Sequence, residues 1–278
     1  MLGTVGALWR YPVKSMLGGQ VAAAAVTVRG LPGDRGLAVV DRETGRIASA
    51  KAPRLWRSLL GCSAALVDGA VRITGPDGKE LWSTDPGIDQ ALSALLGRAV
   101  TLTGTPPPGA ALDRSRPGQV LRRGSDAEVE ADVVRFGSAS PAGTFFDFAP
   151  LHLVSTSTLD RLAALSPRGV AEAERFRPNI VIERAGAGFV DHEWVGRDLR
   201  IGDRLTLRVI AATPRCAVPT LAHGGLPPDT AALRTLARHN RLPAMAGSDP
   251  APSAGIYAQV LSPGMIRPGD SVRVLPPA

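Results

Sequence analysis

Glycine and proline, 31 and 24 residues respectively, recur between short apolar runs along the whole chain and are not gathered into one tract. This punctuation leaves little room for long helices, because proline removes a helical hydrogen bond and glycine costs backbone entropy. It favours many short strands joined by turns. After an apolar start, the runs Val21 to Arg29, Leu37 to Asp41, Val71 to Thr74 and Glu80 to Trp82 read as strands in the first half. In the second half the same reading applies to Leu151 to Val154, Ile180 to Ile182, Leu199 to Ile201, Leu205 to Ala211, Ile256 to Leu261 and Ser271 to Leu275. Gly75-Pro76-Asp77-Gly78 has the residues of a hairpin turn. Helical signals are confined to Pro53 to Leu60, Asp89 to Leu96 with Gly97 as C-cap, Ser157 or Thr158 to Leu165, and Thr230 to His239. The expected fold is mainly β with some α: two β-barrel-like domains, the C-terminal one decorated by helices. Residues 105–126 open with Thr105-Pro106-Pro107-Pro108-Gly109 and continue rich in Arg, Ser and Gly, so they have little to bury. They are expected to link a domain at 1–104 to one at 127–278.

A chain of 278 residues, 44% hydrophobic, can bury one large core or two smaller ones. Its 32 basic and 25 acidic side chains leave a charge of +7. Nearly all the basic residues are arginine, with lysine only at 14, 51 and 79, which equips the protein to grip phosphate in a bidentate way. A solvated surface has the same composition. Nucleic-acid binding is discounted, because no basic stretch is interleaved with stacking aromatics and aromatics make up 4% of the chain. Arg10 and Lys14 follow a short apolar run, the reverse of the order in a secretory signal, and no run approaches the roughly 18 apolar residues of a membrane span. Cys62 and Cys216 lie far apart and form no zinc, iron–sulfur or disulfide motif. A soluble cytoplasmic protein with reduced thiols is expected.

Cys216 stands in Thr213-Pro214-Arg215-Cys216-Ala217-Val218-Pro219, just after an apolar strand. A lone cysteine is most often a small buried apolar residue. Here the neighbouring Arg215 favours the thiolate, and the two prolines hold a loop where a strand would otherwise continue. Cys62, in the apolar stretch Trp56 to Ala65 with no cation beside it, is expected to be structural. Lys14, Ser15, Arg35, Ser155, Arg177 and Asn179 all fall at the ends of elements. Each alone suits a turn or solvated role, but together they are donors without matching acids, as an anion with several oxygens would require.

Arg10-Tyr11-Pro12-Val13-Lys14-Ser15-Met16 followed by Gly30-Leu31-Pro32-Gly33-Asp34-Arg35 resembles the N-terminal β-barrel domain that precedes MOSC domains. Arg175-Phe176-Arg177-Pro178-Asn179-Ile180-Val181-Ile182, Ile201-Gly202-Asp203, Arg215-Cys216, and Gly255-Ile256-Tyr257-Ala258 with Pro263-Gly264 and Pro268-Gly269-Asp270 resemble the MOSC domain itself. The resemblance, which extends to the mitochondrial amidoxime-reducing branch and its bacterial counterparts, implies a molybdenum cofactor of the molybdopterin type. It makes Cys216 the metal ligand and catalytic residue. Lys14, Ser15, Arg35, Arg177, Asn179 and Arg215 would surround the pterin and its phosphate, joined by Ser155 and Tyr257. The implied activity is reduction of N-hydroxylated substrates, with electrons from a separate flavin or iron–sulfur protein. A cofactor carrier and a cysteine-persulfide sulfur-transfer protein are the alternative readings, and pyridoxal phosphate binding is a further family-level expectation. After the cysteine, relatives usually carry a threonine-rich stretch leading to Asp-Pro, and two positions before it often a small hydroxyl residue. This chain has Pro219-Thr220-Leu221-Ala222-His223-Gly224-Gly225 and Pro214 there, so the loop expected to border the substrate is its own.

Overall fold

The computed structural model describes residues 1–136, 139–245 and 247–276. Its largest element is a closed ring of seven strands: β1 (Gly3–Arg10), β2 (Leu151–Ser155), β3 (Ile180–Glu183), β4 (Asp198–Ile201), β5 (Leu205–Pro214), β6 (Ala251–Ser262) and β7 (Ser271–Val274). They run β2-β3-β1-β7-β4-β5-β6 around the ring, and β6 pairs back to β2. Closure leaves no open edge within the ring for stray pairing. Alternate side chains point inward, as the two-residue period of a strand requires. Leu151 and Leu153, Ile180 and Ile182, Leu205, Leu207 and Val209, and Ile256 and Ala258 fill the interior with Val5 and Leu8.

The first strand of the chain is thus a stave of the ring formed otherwise by the second half. β1 pairs antiparallel with β3, Leu8 facing Ile180, and with β7, Gly3 facing Val272. Of the seven pairings only β2 with β3 is parallel. Parallel neighbours need a crossover, supplied here by helix Thr156–Leu165 and the short helix Ala173–Phe176. Val154 and Val181 turn outward under Leu159 and Leu162 of the first of these helices and Leu236 of helix Ala231–His239, so β2 and β3 are buried on both faces.

Between β1 and β2 lies a second core built on Val39, Trp56, Leu59, Ile73, Leu92 and Val100. It is wrapped by the pair Ala38–Asp41 and Val100–Thr103, the three-stranded sheet Ser63–Val67, Ala70–Thr74 and Glu80–Trp82, and helix Ile88–Leu96, capped by Gly97 at φ +66°. The expected hairpin is present, with Thr74 opposite Glu80. The expected linker at 105–126 is instead folded: Ala111–Ser115 pairs with Ala131–Arg135, and helix Pro117–Arg123 joins them. Its strands hide few apolar side chains, chiefly Leu112, and rest on the backbone ladder, so the hydrophobic pattern that marks the other strands is missing.

β6 passes very close to β2 at Gly255, whose φ is +78°. A β-carbon there would lie 2.4 Å from the Leu153 carbonyl oxygen and 2.5 Å from His152 Nε2. Gly45, at φ +69°, has open space instead. Gly45→Ala is expected to cost about 1–2 kcal/mol from backbone strain alone, and Gly255→Ala roughly 1–3 kcal/mol more from the clash. Denaturant unfolding of the two variants measures the difference, and equal losses would contradict the close approach.

Candidate functional site

At one end of the ring, where β2 and β3 begin and β5 ends, a pocket with an empty volume of about 710 Å³ opens against the N-terminal core. It is lined by Lys14, Ser15, Arg35, Arg177, Asn179, Arg215, Cys216 and Tyr257, so eight of the nine residues singled out in the sequence converge. Ser155 is not among them. It ends β2 while His152 stands near its start, about 10 Å away along the strand. There its hydroxyl accepts from Thr158 N as the N-cap of the crossover helix and donates to the buried carboxylate of Asp191.

The N-terminal half contributes through two strained turns. Ser15, at φ +65°, aims its hydroxyl at the Ala50 amide, 3.1 Å away. Arg35, at φ +46°, donates from Nη1 to Asp34 Oδ2 (2.5 Å) and Asn179 Oδ1 (3.1 Å), and from Nη2 to the Arg177 carbonyl (3.1 Å). Burial disfavours this cation, but the Asp34 pair outweighs it and raises the Arg35 pKa. Asn179 is fully occupied: its oxygen accepts from Arg35 and the His152 amide, and its NH2 donates to Asp34 and the Trp9 carbonyl. It positions the arginine and has no polar valence left for a ligand.

Arg177, at φ +54°, caps the short helix Ala173–Phe176 in the left-handed conformation. Its guanidinium and that of Arg35 each lie 4.5 Å from the centre of the Tyr11 ring, a cation–π arrangement. Its Nη1 is buried with no hydrogen-bond partner, and burial, then Arg35, lower its pKa to about 10. Arg215 donates from Nη2 to the Phe176 carbonyl (2.9 Å), while its buried Nε has no acceptor. Lys14 is buried and donates to the Phe145 carbonyl (2.8 Å) and Asp147 (2.6 Å), and Lys51 reaches the same carboxylate at 2.8 Å. Burial lowers the Lys14 pKa to about 8 despite that partner. Against its own burial, Lys14 and Lys51 hold Asp147 well below the usual carboxylate range.

Cys216 follows the bulged end of β5, where Arg215 N donates to the Pro252 carbonyl (2.7 Å) before the chain turns into Val218–Thr220. Its sulfur sits at the seam between the two halves, packed near Ala50, Leu60, Val218 and Leu221. The loop beyond is clamped by the fully buried Arg175, which pairs with Glu172 and donates to the carbonyls of Pro219, Leu221 and Pro227. The clamp holds this loop by its backbone carbonyls. Cys62 lies in the N-terminal core, where burial raises its thiol pKa.

Sequence reasoning missed Asp147, Lys51 and His152. The signal for Asp147 was a charge inside Phe145-Phe146-Asp147-Phe148, where burial demands a partner. His152 Nδ1 is 3.4 Å from the Arg177 carbonyl, which can only accept, so Nε2 carries the lone pair that faces Arg215 Nη1 at 3.4 Å. Burial and then Arg215 drive its pKa well below the ordinary value.

The pocket therefore gathers five cations, Lys14, Lys51, Arg35, Arg177 and Arg215, against two carboxylates, Asp34 and Asp147, an excess of three positive charges around one thiol. Among the described residues no three His, Cys, Asp or Glu side chains converge as a metal site. The arrangement suits an anion that brings most of its own metal ligands and takes one soft ligand from the protein.

His192 and His223 are also buried, and burial lowers both to about 4. Unfolded histidine takes a proton near pH 6.5, whereas the fold refuses it, so stability is present above that pH and is lost as pH falls below it. The slope is about 1.4 kcal/mol per pH unit for each histidine, in a window above that of Asp147 and Glu172. Melting temperature is expected to drop steadily from pH 6.5 to 5 and less steeply in His152→Gln. A wild-type melting temperature constant over this range would contradict the neutral, buried imidazole.

The sequence model of the MOSC N-terminal beta barrel domain matches residues 2–92, and that of the MOSC domain matches residues 141–273. Mitochondrial amidoxime-reducing component 1 of Mus musculus is 29% identical over 307 aligned positions, covering 99% of this chain and 83% of that protein. The Homo sapiens protein of the same name is 28% identical with the same coverage. Compared with the YuaD protein from Bacillus subtilis, the structure gives a TM-score of 0.43 at 12% identity, over 98% of this chain and 94% of that one. The two domain matches fall in order on the two halves that face each other across Cys216, and the chain belongs to the MOSC-domain proteins, with a MOSC N-terminal β-barrel domain ahead of the MOSC domain.

Proposed function

We propose that this protein holds a molybdenum–pterin cofactor in the pocket through the Cys216 thiolate and reduces N-hydroxylated substrates, with electrons arriving from a separate flavin or iron–sulfur protein. The observation that carries the reading is the pair of buried guanidinium nitrogens without acceptors, Arg177 Nη1 and Arg215 Nε, in the pocket that holds the Cys216 sulfur. An orphaned buried donor costs free energy unless a ligand satisfies it. The excess of positive charge fits a phosphate, and the soft sulfur fits molybdenum. A pyridoxal phosphate site would need a free lysine for its Schiff base, but the Lys14 and Lys51 amines are both tied to Asp147. The names of the mouse and human relatives, amidoxime-reducing components, support the choice of reaction.

When bound, the cofactor supplies the electron pair that breaks the N–O bond; an amidoxime, two electrons and two protons give an amidine and water. The chain's own residues orient and protonate. Arg35 is fixed by Asp34 and Asn179, so it presents its charge without reorganisation. Burial, then Asp147, raise the Tyr257 pKa to about 12, and its hydroxyl makes no hydrogen bond among the described residues. Tyr257 Oη therefore holds a proton at neutral pH and is free to offer it to a departing oxygen.

The two arginines should separate. Arg177 is desolvated and incompletely paired, so Arg177→Ala should leave the melting temperature of cofactor-free protein unchanged or higher, while molybdenum retained through purification falls several-fold. Arg35→Ala strands the buried Asp34 carboxylate and should cost about 3–5 kcal/mol of stability. Elemental analysis of protein made in a host that synthesises the cofactor, with thermal melts alongside, reads both. Full molybdenum retention in Arg177→Ala would sink the cofactor reading. Bound molybdenum without turnover of any N-hydroxy compound would favour a carrier, and a Cys216 persulfide without molybdenum would favour sulfur transfer.

A further inference from the structure

Cys216 is reached from two sides. Besides the basic pocket, a second chamber with an empty volume of about 890 Å³ borders the same sulfur, and the two share Lys51, Asp147, Arg215, Cys216 and Tyr257 as their common wall. Their chemistry differs. Part of the wall of the second chamber is apolar, formed by Val134, Phe148, Ala211, Pro214 and Met245, and suits an aromatic or aliphatic body.

Besides the shared Lys51 and Arg215, two further arginines line this chamber, Arg114 and Arg135, both from the hairpin Ala111–Ser115 and Ala131–Arg135. The acids of that hairpin are already engaged: Asp113 by Arg46, and Glu130 and Asp132 by Arg116. Among the described residues neither Arg114 nor Arg135 has a carboxylate within ion-pair distance. Arg114 shares its strand face with Leu112, Val134 and, directly across the ladder, Asp132, so the hairpin presents a half-buried cation on the side that packs inward, while the exposed Arg135, on the opposite face, borders the chamber from the end of its strand. A guanidinium is suited to bidentate recognition of a carboxylate or phosphate.

We infer that the second chamber is the substrate site and that it selects N-hydroxylated compounds bearing an apolar body and an anionic group, which Arg114 and Arg135 hold while the N–O group points at Cys216 and Tyr257. This rests on the function proposed above. It makes Arg114 and Arg135 specificity-determining residues with no part in holding the cofactor. The overall reaction is unchanged: the N–O bond breaks, the external donor supplies two electrons, and two protons are taken up so that the oxygen leaves as water.

The test compares benzamidoxime with 4-carboxybenzamidoxime in wild type, Arg114→Ala, Arg135→Ala and the charge-keeping Arg114→Lys, on molybdenum-loaded protein with a chemical reductant. Calorimetric binding of 4-carboxybenzamidoxime to the same proteins without reductant is measured in parallel. Wild type is expected to show a KM for the carboxylate about tenfold lower than for the neutral compound, the value of one charge-assisted contact. Arg114→Ala should erase that advantage, leave the benzamidoxime KM within about twofold and keep full molybdenum content, and Arg114→Lys should restore part of it. If neither compound turns over while carboxylate binding still depends on Arg114, the chamber stands and the reductase reading falls. Equal KM values for the two compounds in wild type, or carboxylate binding untouched by either alanine, would overturn the inference. Loss of molybdenum in Arg114→Ala would also overturn it, because the arginine would then be holding the cofactor's phosphate.

Discussion

The buried carboxylate of Asp34 holds the site together. One oxygen accepts the Tyr11 amide at 2.7 Å, and the other takes Arg35 Nη1 at 2.5 Å and Asn179 Nδ2 at 3.0 Å. These donors come from the end of the first strand, the turn that precedes strand Ala38–Asp41 and the start of β3, so one charge fixes three segments that are separate in sequence. Charge-assisted hydrogen bonds of this kind are stronger than neutral ones, and burial makes their loss expensive. Asn179 in turn accepts the His152 amide, and His152 faces Arg215 beside the cysteine. The polar lattice thus runs from the N-terminal half to the loop that carries Cys216.

The pairing of β1 with β3 and β7 gives that lattice its scaffold. Because the first strand is a stave of the ring, Tyr11 to Arg35 emerge from the barrel's own rim and do not have to dock onto it. The donors of the pocket then sit at element ends or in turns held by that lattice, the condition for electrostatic preorganisation. Three of the residues involved, Ser15, Arg35 and Arg177, carry positive φ without being glycine. Strain of this type clusters at functional sites, where the surrounding structure holds it in place.

Much of this is legible in the sequence. The strands of the ring announce themselves by apolar runs between turns, and the sites of Lys14, Arg35, Arg177 and Cys216 by cations and a thiol at element ends. Other features are hidden there. That the first apolar run joins the far half depends on partners some 170 residues away, which periodicity does not encode. The hairpin at 111–135 has the composition of a linker because its ladder is made of backbone, with polar side chains outside. Ser155 groups with the site donors by sequence, whereas a hydroxyl just before a helical run is first of all an N-cap, the role it fills. Asn179 has the sequence context of a ligand contact, yet its four hydrogen-bonding positions are all spent inside the protein, which only the three-dimensional count reveals.

The central claim is that the Cys216 sulfur is a ligand to molybdenum. Exchanging it for the hard, normally protonated hydroxyl of serine changes the metal's surroundings and leaves the basic pocket in place. Loss of activity in Cys216→Ser would not decide the matter, because a nucleophilic or persulfide-bearing cysteine would fail in the same way. X-ray absorption at the molybdenum edge, on wild type and Cys216→Ser loaded to equal metal content, does decide it. The wild type should show one more sulfur neighbour than the variant, and an identical sulfur count in the two samples would contradict ligation by Cys216.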